Sequence, residues 1–181
     1  MAKEIEKKFI INNEIKSQIV SDLEKTAVNK GESHLVDTYY IPYFKDFEKD
    51  GKTMECVRIR EDSNGNVLCY KKIHYEATPI YCDEYEIKVD NKDQMEKFLF
   101  ALGFSVQMVI DKTRVGYELN DLEIDFDSVK NLGELMEVEL EDNEKGEEAI
   151  YDFVKKYGLT EKNVTYEGIQ KLMKKAMENK K

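Results

Sequence analysis

Glu4, Glu6 and Lys8 occupy every second position of the stretch Lys3-Glu4-Ile5-Glu6-Lys7-Lys8-Phe9-Ile10-Ile11. In extended backbone successive side chains point to opposite faces, so these three charges share one face while Ile5, Phe9 and Ile11 share the other. Two carboxylates about 7 Å apart on a rigid strand can share a divalent cation, and a lysine one step along can meet the anion that the cation carries. Taken alone, such alternation usually marks a solvated outer face.

The same pattern returns further down the chain with its signs sorted. Arg58 and Arg60 share a face opposite Val57 and Ile59, and Lys112 and Arg114 share another. Lys71 and Lys72 point to opposite sides, so one of them can join the arginines. Glu84, Glu86 and Lys88 alternate against Tyr85, Ile87 and Val89; Glu123, Asp125 and Asp127 against Leu122, Ile124 and Phe126; Glu137 and Glu139 against Met136, Val138 and Leu140. A solvated surface normally mixes its charges. If the sheet closes on itself with these faces inward, the lumen holds carboxylates for cations and a basic cluster for phosphates.

The elements that must position these groups are roughly eight strands interrupted by helices. Asn12-Asn13 precedes a helical pattern of Ile15, Ile19, Val20 and Leu23, and Gly31 reads as a break before a strand from His34 to Ile41, stopped by Pro42. Tyr43 to Lys52 lacks clean periodicity and reads as a loop. Ser63-Asn64-Gly65-Asn66 and Asn120-Asp121 mark hairpin turns. Asp90 or Asn91 caps a helix that ends at Gly103, and two more helices follow Ile150 and Ile169. These helices are expected on the apolar outer face of the barrel.

The chain has 181 residues, with no Pro/Gly/Ser-rich linker or break in composition, and reads as a single domain, 1–181. A net charge of −10 argues against sequence-independent nucleic-acid binding and against an anionic membrane surface, since both need a basic face. No apolar run approaches a membrane span and the N-terminal stretch is too charged for a signal peptide, so a cytoplasmic protein is expected. Cys56, Cys69 and Cys82 lack the spacing of a zinc site and are odd in number; they read as reduced, buried thiols. With only His34 and His74, and no serine in a nucleophile-elbow context, a nucleophilic triad has little to work with.

Taken together, these residues resemble the signature of the CYTH superfamily, the triphosphate tunnel metalloenzymes, which include class IV adenylate cyclases, thiamine triphosphatases and inorganic triphosphatases. Glu4-x-Glu6-x-Lys8 is followed in order by Asp37-Thr38-Tyr39-Tyr40, Lys45-Asp46-Phe47, Val57-Arg58-Ile59-Arg60, Tyr70-Lys71, Glu84-Tyr85-Glu86, Lys112-x-Arg114, Asp127-Ser128-Val129, Leu132-Gly133 and Glu137-Val138-Glu139. The resemblance covers nearly the whole chain. It implies an α+β fold, an eight-stranded antiparallel β-barrel with helices packed outside, that binds a small-molecule triphosphate.

By position, the resemblance makes Glu4, Glu6, Glu137 and Glu139 metal ligands, with Mg²⁺ or Mn²⁺ suited to their oxygens. Lys8, Arg58, Arg60, Lys71, Lys112 and Arg114 would grip the phosphates, Lys8, Arg58 and Lys71 being closest to the chemistry. A second metal, or a lysine or tyrosine of lowered pKa, would activate the attacking water; Tyr39 is a candidate, with core packing as its other and commoner reading. Glu84 and Glu86 either match acidic family positions or orient the basic cluster, and Asp125 and Asp127 carry the same two readings, with service to the following turn as a further one for Asp127. The family leaves two reactions: hydrolysis of the terminal phosphate of tripolyphosphate, a nucleoside triphosphate or thiamine triphosphate, or cyclisation of ATP to cyclic AMP. The cyclase branch also carries a His-Phe pair before its ExExK, and only Met1-Ala2-Lys3 precede Glu4, so a triphosphatase is expected, with the cyclase as the alternative. A non-catalytic binding module would keep the basic pairs and lose the carboxylates, and both sets are present. No nucleic-acid or membrane partner is expected, and a homodimer is compatible with the reading.

Overall fold

The structure is a computed structural model that describes residues 3–77, 79–141 and 147–178, without the side chains of Lys3, Glu4 and Glu141. Its elements in order are β1 (Lys3–Ile10), α1 (Asn13–Thr26), β2 (Val28–Pro42), β3 (Glu48–Lys49), β4 (Lys52–Thr53), β5 (Glu55–Asp62), β6 (Gly65–His74), β7 (Tyr81–Val89), α2 (Lys92–Ala101), β8 (Phe104–Leu119), β9 (Leu122–Val129), β10 (Gly133–Glu141), α3 (Glu148–Val154), β11 (Val164–Thr165) and α4 (Ile169–Glu178).

Nine strands form one antiparallel sheet in the order β10-β9-β8-β2-β5-β6-β7-β1-β11, and β10 also pairs with β1. That extra pairing runs from Glu4↔Glu141 to Ile10↔Leu135 and curls the eight long strands into a ring. The ninth strand, β11, is two residues long and adds to β1 at Lys8↔Thr165 and Phe9↔Val164. The seam between β1 and β7 holds for only Lys3↔Asp83 and Glu4↔Cys82, and the two strands then part.

Local chemistry explains the element ends. The side chain of Asn12 accepts the Ile15 N–H at 2.9 Å to start α1, and Asn91 accepts that of Gln94 at 3.0 Å to start α2. Gly31, expected as a break, instead lies inside β2 at φ +91° where the register with β8 shifts, so it forms a bulge in a strand longer than the sequence implied. The expected loop after Pro42 contains the small ribbon β3–β4, turned at Asp50-Gly51.

Alternation along each strand divides the apolar residues from the charged ones. On the outer face Ile5, Phe9, Phe126 and Val138 pack with Ile19 and Leu23 of α1 and Ile150, Phe153 and Val154 of α3. Tyr40, Val57 and Ile59 pack with Leu99 of α2. The last helix behaves differently. Ile169, Leu172 and Met173 of α4 pack on Tyr39, Ile110, Val129 and Leu135, which share strand parity with the inward charges. Three helices thus cover the outside, and α4 meets the inner face and caps the lumen there with apolar side chains.

Candidate active site

Strand pairing brings the first carboxylates together. Glu6 of β1 lies opposite Glu139 of β10, and Lys8 lies opposite Glu137. One carboxylate oxygen from each of Glu6, Glu137 and Glu139 falls within 4.8 Å of the others. Three anions at that spacing, with water largely excluded, cannot all stay ionised without compensation. Burial, and then the neighbouring Glu6 carboxylate, push Glu139 up to about 8. Burial also works against ionised Glu137, but Lys8, Arg114 and Lys112 outweigh it and hold that carboxyl well below the usual range. A proton on Glu139 stands in for a cation, and an all-oxygen donor set fits a hard divalent metal. Glu4 has its backbone in β1, but its side chain lies outside the described residues.

Lysines face the same cluster. Lys8 Nζ lies 3.0 Å from Glu137 and 3.4 Å from Glu6, and Lys71 Nζ lies 2.9 Å from Glu84 and 3.7 Å from Glu6. Burial disfavours charge on both, yet the carboxylates prevail and raise both ammonium groups above their ordinary value. They are fixed cations rather than bases. Arg58 reaches towards Asp37, Glu84 and Glu86 at 3.7–3.8 Å, and its buried Nε has no hydrogen-bond partner among the described residues. A buried guanidinium N–H without a partner among the described residues, with the Lys71 ammonium near it, fits an anionic ligand.

A second set of charges is closed on itself. Asp37, fully buried, accepts from Arg60 Nε at 2.8 Å and from the second nitrogen of the fork at 2.9 Å. Burial resists its ionisation, but Arg60, Arg58 and Lys112 keep its carboxyl below the ordinary range. Asp127, also fully buried, accepts from Lys112 at 2.5 Å and from Arg114 Nε and Nη2 at 2.7 Å each. Arg114 further reaches Glu137 at 2.6 Å and pairs with Asp125. Burial, and then Asp127 and Glu137 against the pull of Arg114, leave the Asp125 carboxyl at about 6.

The expected basic residues are therefore brought to one lumen but play different parts. Lys8 and Lys71 stand beside the carboxylate trio, and Arg58 faces Asp37, Glu84 and Glu86. Arg114 bridges the trio to Asp127, Arg60 is clamped by Asp37, and Lys112, 4% exposed, is held between Asp127 and Asp37. Lys72 pairs with Asp83 across the strands on the opposite parity, so Lys71 is the inward lysine. Tyr39 is in the apolar cluster under α4, and burial pushes its phenol far up, opposite to what a base needs. Asp37 went unmarked as a site residue in the sequence, although its parity with Tyr39 and its place opposite Arg60 would have exposed it once the β2–β5 register was known. Glu84 and Cys69 are likewise tied into the lumen, Cys69 Sγ donating to Glu84 at 2.9 Å.

The sequence profile of the CYTH domain matches residues 2–169. The chain belongs to the CYTH domain family. A Methanocaldococcus jannaschii protein that carries the name "putative adenylate cyclase" is 27% identical over 128 residues, which span 67% of this chain and 73% of that protein. The PH1012 protein of Pyrococcus horikoshii superposes on this CYTH domain with a TM-score of 0.79 at 25% identity, covering 94% of this chain and 99% of that one. A Hippeastrum protein described as a "putative adenylyl cyclase" with a dominant triphosphatase activity shares the fold, with a TM-score of 0.65, 16% identity and coverage of 97% and 96%. No helix among the described residues is long and apolar enough to cross a membrane.

Proposed function

We propose that this CYTH domain hydrolyses a triphosphate with the help of Mg²⁺ or Mn²⁺. The observation that carries the reading is the three-carboxylate cluster of Glu6, Glu137 and Glu139 standing directly beside Lys8 and Lys71. Glu6, Glu137 and Glu139 would hold the metal, joined by Glu4 through strand alternation. When bound, a divalent cation neutralises phosphate charge and lowers the pKa of coordinated water. Lys8, Lys71 and Arg58 bind the phosphates and meet the negative charge that grows on the leaving group. Arg60, Lys112 and Arg114, paired with Asp37 and Asp127, hold the wall of the lumen in place around the site. The apolar cap under α4 keeps one end dry, which strengthens every charge interaction inside. Three free cysteines fit the reducing cytoplasm.

The name carried by the Methanocaldococcus jannaschii relative favours a second reading. In it the ribose 3'-hydroxyl of ATP attacks the α-phosphorus, giving cyclic AMP and pyrophosphate, and the same charges serve. One assay separates the two: incubation with Mg²⁺ or Mn²⁺ and either tripolyphosphate or ATP, resolving orthophosphate, pyrophosphate and cyclic AMP. Orthophosphate without cyclic AMP is the expected product, and Glu6→Gln should lower turnover at least about 100-fold. Full activity in that variant with Mg²⁺ would sink the assignment.

A further inference from the structure

Lys7 sits on the face of β1 opposite Glu6 and Lys8, outside the charged site, and yet it is only 2% exposed. It stands between Ile5 and Phe9, in the row that packs with α1 and α3. Its ammonium meets the carboxylate of Glu147, at the start of α3, at 2.6 Å, and lies 5.7 Å from the centre of the Tyr166 ring and 6.0 Å from that of Tyr151. Burying a cation on an apolar face costs its hydration, and apolar replacements of buried ion pairs are often neutral or stabilising, so packing alone gives no reason for a lysine there.

The pairing of β1 supplies one. The strand is bonded to β10 from Glu4 to Ile10, but its other edge pairs with β7 only at Lys3 and Glu4, and with β11 only at Lys8 and Phe9. At Ile5, Glu6 and Lys7 that edge has no ladder partner among the described residues. Two halves of the charged site face each other across this gap: Glu6 and Lys8 of β1 with Glu137 and Glu139 of β10, and Lys71 of β6 with Glu84 of β7. Within each half the ladder fixes the spacing. Across the gap Lys71 Nζ lies 3.7 Å from Glu6, a contact between side chains alone.

On the outer side the gap is spanned by the residues that Lys7 touches. Tyr166 directly follows Thr165, the β11 residue paired with Lys8, and its ring faces the Lys7 ammonium. Its carbonyl lies 3.3 Å from the hydroxyl of Tyr75, which directly follows β6, and that hydroxyl is 3.2 Å from the Thr53 carbonyl. The rings of Tyr75 and Tyr166 meet edge to face with centroids 6.5 Å apart. From Lys7 the contacts therefore run over Tyr166 and Tyr75 to the strand that carries Lys71.

We infer that Lys7 is a positioning residue: anchored by Glu147, it clamps Tyr166 and through it the end of β6, and so sets the span between Lys8 and Lys71, the two lysines that one triphosphate must reach together. The inference rests on the triphosphate reading of the charged site. It separates two properties of that site, because the carboxylates of β1 and β10 are spaced by their own ladder, whereas the span from Lys8 to Lys71 depends on the clamp.

The test is Lys7→Met in the full chain, which keeps most of the apolar stem and removes the charge. Calorimetric titration with Mn²⁺, and then in Mg²⁺ with diimidotriphosphate, a tripolyphosphate analogue that resists hydrolysis, is read beside thermal melting. The melting midpoint should stay within a few degrees of the parent or rise, Mn²⁺ affinity should stay within about twofold, and diimidotriphosphate affinity should fall about tenfold. Tyr166→Leu removes the ring while keeping every charge and should reproduce that selective loss; Tyr166→Phe keeps the ring and should not. Unchanged diimidotriphosphate affinity in Lys7→Met and Tyr166→Leu overturns the inference, and so does a loss that Mn²⁺ shares, which marks a merely structural role. A parent that binds no diimidotriphosphate overturns the triphosphate reading and the inference together; a parent that binds it no better than these two variants do overturns the inference alone.

Discussion

The lumen contains two clusters built from the same residue types, and they are balanced differently. Around Asp37 and Asp127 each carboxylate is matched by Arg60, Lys112 or Arg114 in direct hydrogen bonds, and both acids are fully buried. Around Glu6, Glu137 and Glu139 the carboxylates crowd one another, and Glu139 is pushed up to about 8. The first cluster is complete as the chain stands; the second becomes balanced when a proton or a metal is added. Charge that is fully paired in a dry interior holds architecture, whereas charge left in excess in the same interior is available to a ligand.

The largest way to break this contrast is Asp127→Asn. It leaves Lys112 buried without its closest anion and should destabilise the fold by about 3–5 kcal/mol, seen as a large fall in the denaturant midpoint. Glu139→Gln should do the opposite in metal-free protein. Because the folded carboxyl titrates above its unfolded value, its stabilising contribution is full at low pH and is lost as pH rises towards about 8. Glutamine resembles the protonated form and removes that loss, so the variant should be more stable than the parent at pH 8 by on the order of 3 kcal/mol and equal to it near pH 4. If both variants destabilise equally at every pH, the two clusters do not differ.

Metal affinity supplies the next test. Binding must displace the proton on Glu139, so the affinity for Mg²⁺ or Mn²⁺ should rise with pH up to about 8 and level off above it. Calorimetry in two buffers of different ionisation enthalpy would show proton release below that pH. Arg58→Lys keeps the charge and loses the fork with its open Nε, and should weaken triphosphate binding by about 1.5–3 kcal/mol without changing the melting midpoint by more than a few degrees. The smallest effect concerns His74, outside both clusters. Hydrogen bonds to Asp83 at 2.8 Å and to Glu76 at 3.1 Å raise its pKa, so an NMR titration should place its midpoint above 6.5, and whatever stability it adds fades as pH rises through that midpoint.

Alternation by itself determined most of the inventory. It put Glu6 with Lys8, Arg58 with Arg60, Lys112 with Arg114, and Glu137 with Glu139 on common faces, because the period of a strand is fixed by its own backbone. Turn and cap residues such as Asn12, Asn91 and Asn120 also marked their elements without help from the rest of the chain. Pairing across the sheet was beyond that information. Which carboxylate meets which cation depends on register between strands far apart in sequence, as Glu6 with Glu139 and Arg60 with Asp37 illustrate. Depth decided the rest: the same lysine type is a positioned cation at Lys8 and a walled-in partner of Asp127 at Lys112, and Tyr39 lies among apolar side chains where its phenol keeps its proton. Only the tertiary structure could place α4 on the inner face and β11 on the edge that β7 leaves, since both depend on where the barrel fails to close rather than on any property of their own residues.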